Sequence, residues 1–459
     1  MAGIGFELRK AFGKKTLVSN FSGVIYASLT TIGPALLFTV FLFGLRSLLT
    51  FFQIPELENL FFISSFTYLF FIAIFISGLQ NTVLSRYVSD KIFENKEEDI
   101  CASVFGSMTV GSVLSGCVGL VLVFMMYFQE GASWKFLFPY YCMCILATSA
   151  YTMVTYISAL KQYKEVALVY AAGVAVIIPI FLVLYQWAGV HIISSIYWAL
   201  VIGFFLINML LVYCCLKAFG NPSNRYYEYL NYYKEYSFLV ISGLLYIIGM
   251  YSSNVVYWFF SDMGAKVSIF RTAPNYDFAM FLGMLINLSA MVIFEVKAET
   301  NIYDKYISYI SVMEKGTYDM IEKARLSLQN TLNLQLFFVY EIQLIITVVM
   351  ICMVMIFHPY LNLSSEVLNL FLLSGMGIYC ALCMYVTVVF LYYFEDHKSA
   401  CISLGVFAGI TLAGAFLCGM VFQNYYGVPV LAGALMGWIV AFFLLRKRLR
   451  TLTAYLFCK

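Results

Sequence analysis

The stretch SGLLYIIGMYSSNVVYWFF, Ser242 to Phe260, decides the fold. It carries no charged side chain, and its apolar residues do not alternate with polar ones as a barrel strand requires. A helix that crosses a membrane needs about 20 mostly apolar residues, and residues 237–260 supply them. The first five letters have a near copy. SGVIY stands at Ser22–Tyr26, and the offset of 220 residues is close to half of the 459-residue chain. Two halves that begin alike point to an internal repeat.

Composition points the same way. The chain is 63% hydrophobic and 11% charged, with a mean hydropathy of +0.88. Soluble domains hold roughly 45–50% apolar and about 25% charged residues. The expected class is an all-α polytopic membrane protein. The length rule yields twelve spans, at 21–45, 60–84, 101–128, 136–160, 166–187, 192–216, 237–260, 278–298, 334–357, 367–393, 400–422 and 428–445. They divide into an N-lobe (21–216), a linker (217–236) and a C-lobe (237–459). Two six-helix lobes related about the membrane normal are the plan of a rocking, exporter- or flippase-like transporter.

Lys and Arg set the orientation. With both termini on one side, that side holds 23 of the 27 basic residues. Only Arg46, Lys135, Lys266 and Arg271 fall on the other. Both termini are therefore expected in the cytoplasm. The basic residues are spread over membrane edges, so no nucleic-acid partner is implied. Trp134, Trp187 and Trp258 fall at the outer ends of spans, where indole prefers the headgroup layer. Trp438 lies inside a span and is expected to pack on a neighbour.

The leader, residues 1–20, interleaves Ile4, Phe6, Leu8 and Phe12 with Glu7, Arg9 and Lys10. It lacks the apolar core of a signal peptide, and Ala2 replaces the glycine that myristoylation needs. An interfacial helix with Arg9, Lys10, Lys14 and Lys15 toward lipid phosphates is the expectation; an exposed leader is the alternative. The segment 299–333 reads as two amphipathic helices broken at Gly316. It either rests on the membrane surface or docks a cytoplasmic partner. The twelve cysteines sit almost all within spans, so neither a disulfide framework nor a metal centre is indicated.

MAGIGFELRK at the start, Gly33-Pro34 in span one, SRYVSDKIF from Ser85, SGLLYIIGMYSSNVVYWF in span seven and AETNIYDKY from Ala298 form a set. Together, and in order along the chain, they resemble the PelG family, the inner-membrane transporter of the Pel exopolysaccharide system. That family is a branch of the multidrug/oligosaccharidyl-lipid/polysaccharide exporter superfamily. Asn254 stands where the family pattern often carries an acidic residue. The resemblance implies export of a cationic, amino-sugar-containing polysaccharide across a bacterial cytoplasmic membrane. It also implies partners: a cytoplasmic glycosyltransferase that uses UDP-sugars, small membrane proteins, the polysaccharide itself and membrane lipid.

Charges and amides inside spans are costly and ask for a reason. Glu341, with Gln343 two residues on, is the coupling candidate. Either Glu341 takes up H+ or Na+ or it bonds to neighbouring helices; no other cofactor is expected. Gln80 and Asn81 suit sugar hydroxyls near the inner mouth, where Arg86 is either a gate or a snorkelling anchor. Glu295 and Glu299, four apart on one helix face, are its possible partners. Asn254, Arg271, Asp277 and Asn287 complete the proposed path, and Gly33-Pro34 is a hinge or a static kink.

Two rivals remain. An acyl or glycosyl transferase would want a base within the membrane, yet His191, His358 and His397 fall at span edges or loops. A non-transporting scaffold of a polysaccharide synthase complex explains 299–333 but not the two-half plan. An enzyme is therefore not expected. No nucleotide-phosphate loop is present, which argues against ATP-driven transport.

Overall fold

The computed structural model describes Phe52 and residues 54–160, 163–289, 291, 294, 300–360 and 363–457. The leader, span 21–45 with Gly33 and Pro34, and Glu295 and Glu299 lie outside the described residues. Ten described helices are long and apolar enough to cross a membrane. The chain is thus an all-α, multi-pass membrane protein. Of the two other expected spans, 21–45 is not described and 278–298 is described in part.

Helix α1 (Glu56–Phe93) runs well past its expected end at Leu84. The extension is polar, yet Arg86 and Asp90 pair one turn apart at 3.2 Å and support it. Helix α2 (Glu97–Glu130) opens with Glu97, Glu98 and Asp99, whose charge favours a helix N-terminus. It stops at Gly131, which takes a left-handed conformation (φ 62°) that a side chain would resist. Then come α3 (Trp134–Leu160), α4 (Tyr163–Leu182) with a π turn at Val183–Trp187, and α5 (Ile192–Phe219). A 3-10 turn (Glu228–Asn231) and the short α6 (Tyr232–Glu235) lead to α7 (Ser237–Phe260).

A two-stranded hairpin, β1 (Ala265–Val267) and β2 (Phe270–Thr272), follows, then α8 (Pro274–Asn287). Helix α9 (Thr300–Lys315) and α10 (Tyr318–Phe357) meet at the expected break, Gly316. The second amphipathic helix is not a separate element, however. It continues without interruption into span nine as one 40-residue helix, because nothing between Tyr318 and Phe357 breaks a helix. The chain ends with α11 (Ser365–Tyr393), α12 (His397–Met420), α13 (Val428–Arg450) and α14 (Leu452–Phe457). Ser364 and Asp396 cap α11 and α12 with side-chain oxygens that accept from Val367 N and Ser399 N.

Contacts divide the described chain into two compact units. The first holds residues up to Val240 together with Lys266–Arg271; the second holds Ile241–Ala265 and everything from Thr272 on. In the first, α3 packs on α1, α2 and α5. One cluster there joins Phe62, Leu69, Leu137, Tyr140, Tyr197 and Phe270. Phe270 is fully buried, and Tyr68 OH donates to the Arg271 carbonyl at 2.9 Å. In the second, α13 packs on α11 and α12, and α8 on α11. Small residues set the approach of α13 to its neighbours: a Cβ at Gly433 would collide with Thr411 of α12, and one at Gly437 would meet Met384 Sδ of α11 at 2.6 Å and Phe407 Cβ of α12 at 2.9 Å. Trp438 packs edge-on against Tyr340 and Tyr379.

Candidate functional site

The polar residues of α7 and α8 converge in the second unit. Asn254 and Trp258 are four apart on α7 and share a face. Pro274 opens α8, where its missing N–H costs nothing, and Asp277 follows within the first turn. Asn254 Nδ2 donates to Asp277 Oδ1 at 2.7 Å. Trp258 Nε1 lies 3.0 and 2.9 Å from the two carboxylate oxygens. The Ala273 amide donates at 3.3 Å. Beside this cluster, Tyr276 OH donates to Ser253 Oγ at 2.9 Å. Asn254 is buried, and its Oδ1 has no hydrogen-bond partner among the described residues.

Trp258 stands near the end of α7, yet its ring is packed inside, 4% exposed, and its N–H serves the carboxylate. The i, i+4 spacing of Asn254 and Trp258 was the available signal; it pointed to a shared face but not to Asp277. Trp134 and Trp187 are exposed.

Further along α8, Asn287 joins a closed network. Gln343 Nε2 and Thr347 Oγ1 both donate to Asn287 Oδ1, at 3.0 and 2.8 Å. Ser289 Oγ donates to Gln343 Oε1 at 2.9 Å. Asn287 Nδ2 donates to the carbonyls of Gly283 and Gly375. These groups saturate one another and tie α8, α10 and α11 together, as interhelical polar groups do in lipid. Thr347 and Ser289 had no signal in the sequence.

Glu341 lies elsewhere. Two residues from buried Gln343, it is on the exposed face of α10 with Phe337, Leu344, Ile345 and Val348. The bond to a neighbouring helix that a packing role requires is not made among the described residues.

In the first unit, Gln80 is buried between the Ser107 carbonyl and the Gly111 amide, and its amide satisfies both when turned with nitrogen toward the first (3.2 Å) and oxygen toward the second (3.3 Å). Asn81 Nδ2 donates to the Tyr151 carbonyl at 3.3 Å. Arg86 pairs with Asp90 on its own helix, and its guanidinium lies 5.2 Å from the Tyr236 ring centroid. Arg271 belongs to the hairpin of the first unit and Asp277 to the second. The described polar candidates thus form separate groups; in the Asn254–Trp258–Asp277 cluster, neutral donors from α7 converge on a carboxylate of α8. Among the described residues, every donor to Asp277 is neutral. Such a group has the chemistry to take up a proton or a monovalent cation. Among the described residues no group of three His, Cys, Asp or Glu side chains could hold a metal ion.

Comparison with solved structures places the fold. An outward-facing multidrug resistance MATE family transporter of the MOP superfamily matches with a TM-score of 0.62 at 12% identity, over 94% of this chain and 96% of that one. MATE in the straight conformation gives 0.63 at 11% identity with the same coverage. A MOP superfamily transporter from Pyrococcus furiosus gives 0.58 at 12% identity, again over 94% and 96%. At these identities the likeness is one of fold. No curated protein matches the chain. The PelG family model, described as "Putative exopolysaccharide Exporter (EPS-E)", matches residues 1–457. With a transporter fold beneath a match of that length, the chain belongs to the PelG family.

Proposed function

We propose that this protein exports a Pel-like, amino-sugar-containing polysaccharide across a bacterial cytoplasmic membrane, with both termini in the cytoplasm. The observation that carries the reading is the family match over nearly the whole chain. Transport proceeds by alternating access or as a conduit coupled to synthesis. In the first case Asp277 is the coupling group we favour. Binding of a proton or cation there biases one conformation only through a difference in affinity between states, and a carboxylate whose side-chain donors come from a second helix senses any shift between α7 and α8.

The polymer is supplied by a cytoplasmic glycosyltransferase that uses UDP-sugars, in company with small membrane proteins. Helix α9 is the docking surface we assign to that enzyme. Its outward side carries Ile307, Ser308 and Ser311, whereas Tyr309 is fully buried and bonded to Thr453.

The test is a deletion strain that carries an intact synthase. Restoring the chain should restore extracellular polymer. Polymer in the medium at unchanged levels without the chain would refute export, and polymer that is never made, even inside, would favour the scaffold reading.

A further inference from the structure

Residues 217–236 were expected as a linker between lobes, but most of this segment is seated on the first unit. The chain leaves α5 at Gly220 (φ 80°). Ser223 then lies along the first turn of α2, its amide donating to the Glu98 carbonyl at 3.2 Å and its hydroxyl to Asp99 Oδ1 at 2.6 Å. Asp99 is buried and faces two cations, Lys91 Nζ at 3.6 Å and Arg225 Nη1 at 3.7 Å. Lys91 is 4% exposed, a burial that an ammonium tolerates only beside carboxylates. Its closest carboxylate, Glu228 Oε1 at 3.1 Å, comes from the connecting segment, and Glu94 lies at 3.4 Å.

Apolar contacts complete the seat. The Tyr226 carbonyl lies so close to Gly106 that a Cβ there would collide with it. Tyr229 is fully buried in a cluster with Tyr87, Val104 and Tyr156. Tyr233 OH donates to the Leu79 carbonyl at 3.0 Å, and the Tyr232 ring stands edge-on to Tyr87 at 5.2 Å.

We propose that residues 223–236 are a docking segment and that the ends of α1 and α2 form its receptor surface, strong enough to hold it without the covalent link to α5. The surface fits a tyrosine-rich segment and engages one of its two carboxylates, Glu228. Lys91 takes the carboxylate, Gly106 admits the backbone, and the Leu79 carbonyl takes a phenol. The seated segment runs to Tyr236 and α7 begins at Ser237, so no loose chain separates them.

A protease site inserted between Gly220 and Asn221 of the full-length chain in nanodiscs tests this. Hydrogen exchange over 226–236 is compared before and after the cut. Exchange should stay within about twofold. In the cut chain, Glu228→Gln should speed it by roughly tenfold or more, since Lys91 loses its nearest counter-charge, while Tyr229→Phe should leave it unchanged. Exchange that rises to the free-peptide rate on cutting, with α1 and α2 still protected, overturns the proposal. So does an E228Q chain that exchanges like its parent, because the ion network would then not hold the segment.

Discussion

Asp277 and Glu341 are both carboxylates on helices of a membrane protein, and their surroundings differ in kind. Asp277 receives Asn254, Trp258 and a backbone amide. Glu341 stands among exposed apolar side chains, where a charge at the bilayer centre costs about 2.5–3.5 kcal/mol by insertion scales. If Asp277 couples transport, Asp277→Asn keeps the shape and removes the charge. Polymer export should fall roughly 5- to 150-fold, the span of ordinary coupling energies, at an unchanged membrane level of protein. Glu341→Gln should leave export within about twofold of the parent. Reversal of these two outcomes in an export assay assigns coupling to Glu341. Trp258→Phe deletes one donor to a charged acceptor, a bond worth about 1.5–3 kcal/mol. It should lower the melting temperature in detergent, and an unchanged melt would mean that the indole N–H adds nothing to folding.

At the scale of elements, glycines show which helix surfaces touch. Among the described residues nothing stands where a Cβ on Gly409 of α12 would go, whereas Gly433 on α13 faces Thr411 of α12. Gly409→Ala should therefore stabilise by about 0.5–1 kcal/mol through the helix backbone alone. Gly433→Ala should destabilise by about 1–3 kcal/mol by overpacking. Thermal melts of the two variants, side by side, check both signs. Helices α9 and α10 pack on each other, and Arg325 on α10 bonds Glu322 and the Leu449 carbonyl of α13. A photo-crosslinker at Ser311, on the open side of α9, should capture the glycosyltransferase. One at Tyr309, which is buried, should not, and capture of lipid alone at Ser311 would remove the docking role.

At the scale of the whole molecule, the distribution of Lys and Arg predicts cytoplasmic termini. Cysteine introduced at Thr453 in a cysteine-free background should resist a membrane-impermeant maleimide in intact cells and react after lysis. Labelling in intact cells would invert the topology. The same inversion would move α9 away from any cytoplasmic enzyme, so this measurement bears on the docking proposal as well.

Span existence was legible in the sequence because hydrocarbon imposes a length and a polarity on any helix that crosses it, and both are local properties. Hence the apolar runs, the two-half plan and the break at Gly316 could be read directly, and the resemblance carried the family. Helix ends were less legible. The polar continuation of α1 is supported by Arg86–Asp90 within the helix, but Lys91 is buried against Asp99 and Glu228, residues far off in sequence. Partner choice was not legible at all. Trp258 looks like an interfacial ring until α8 brings Asp277 beside it, and Gln343 looks like a companion of Glu341 in coupling until Asn287 and Thr347 close around it. Glu341 looks enclosed until the rotation of α10 turns it outward. Hydropathy is summed along a chain, whereas a hydrogen bond needs two groups at one point in space, and only the packing of one helix on another decides which groups meet.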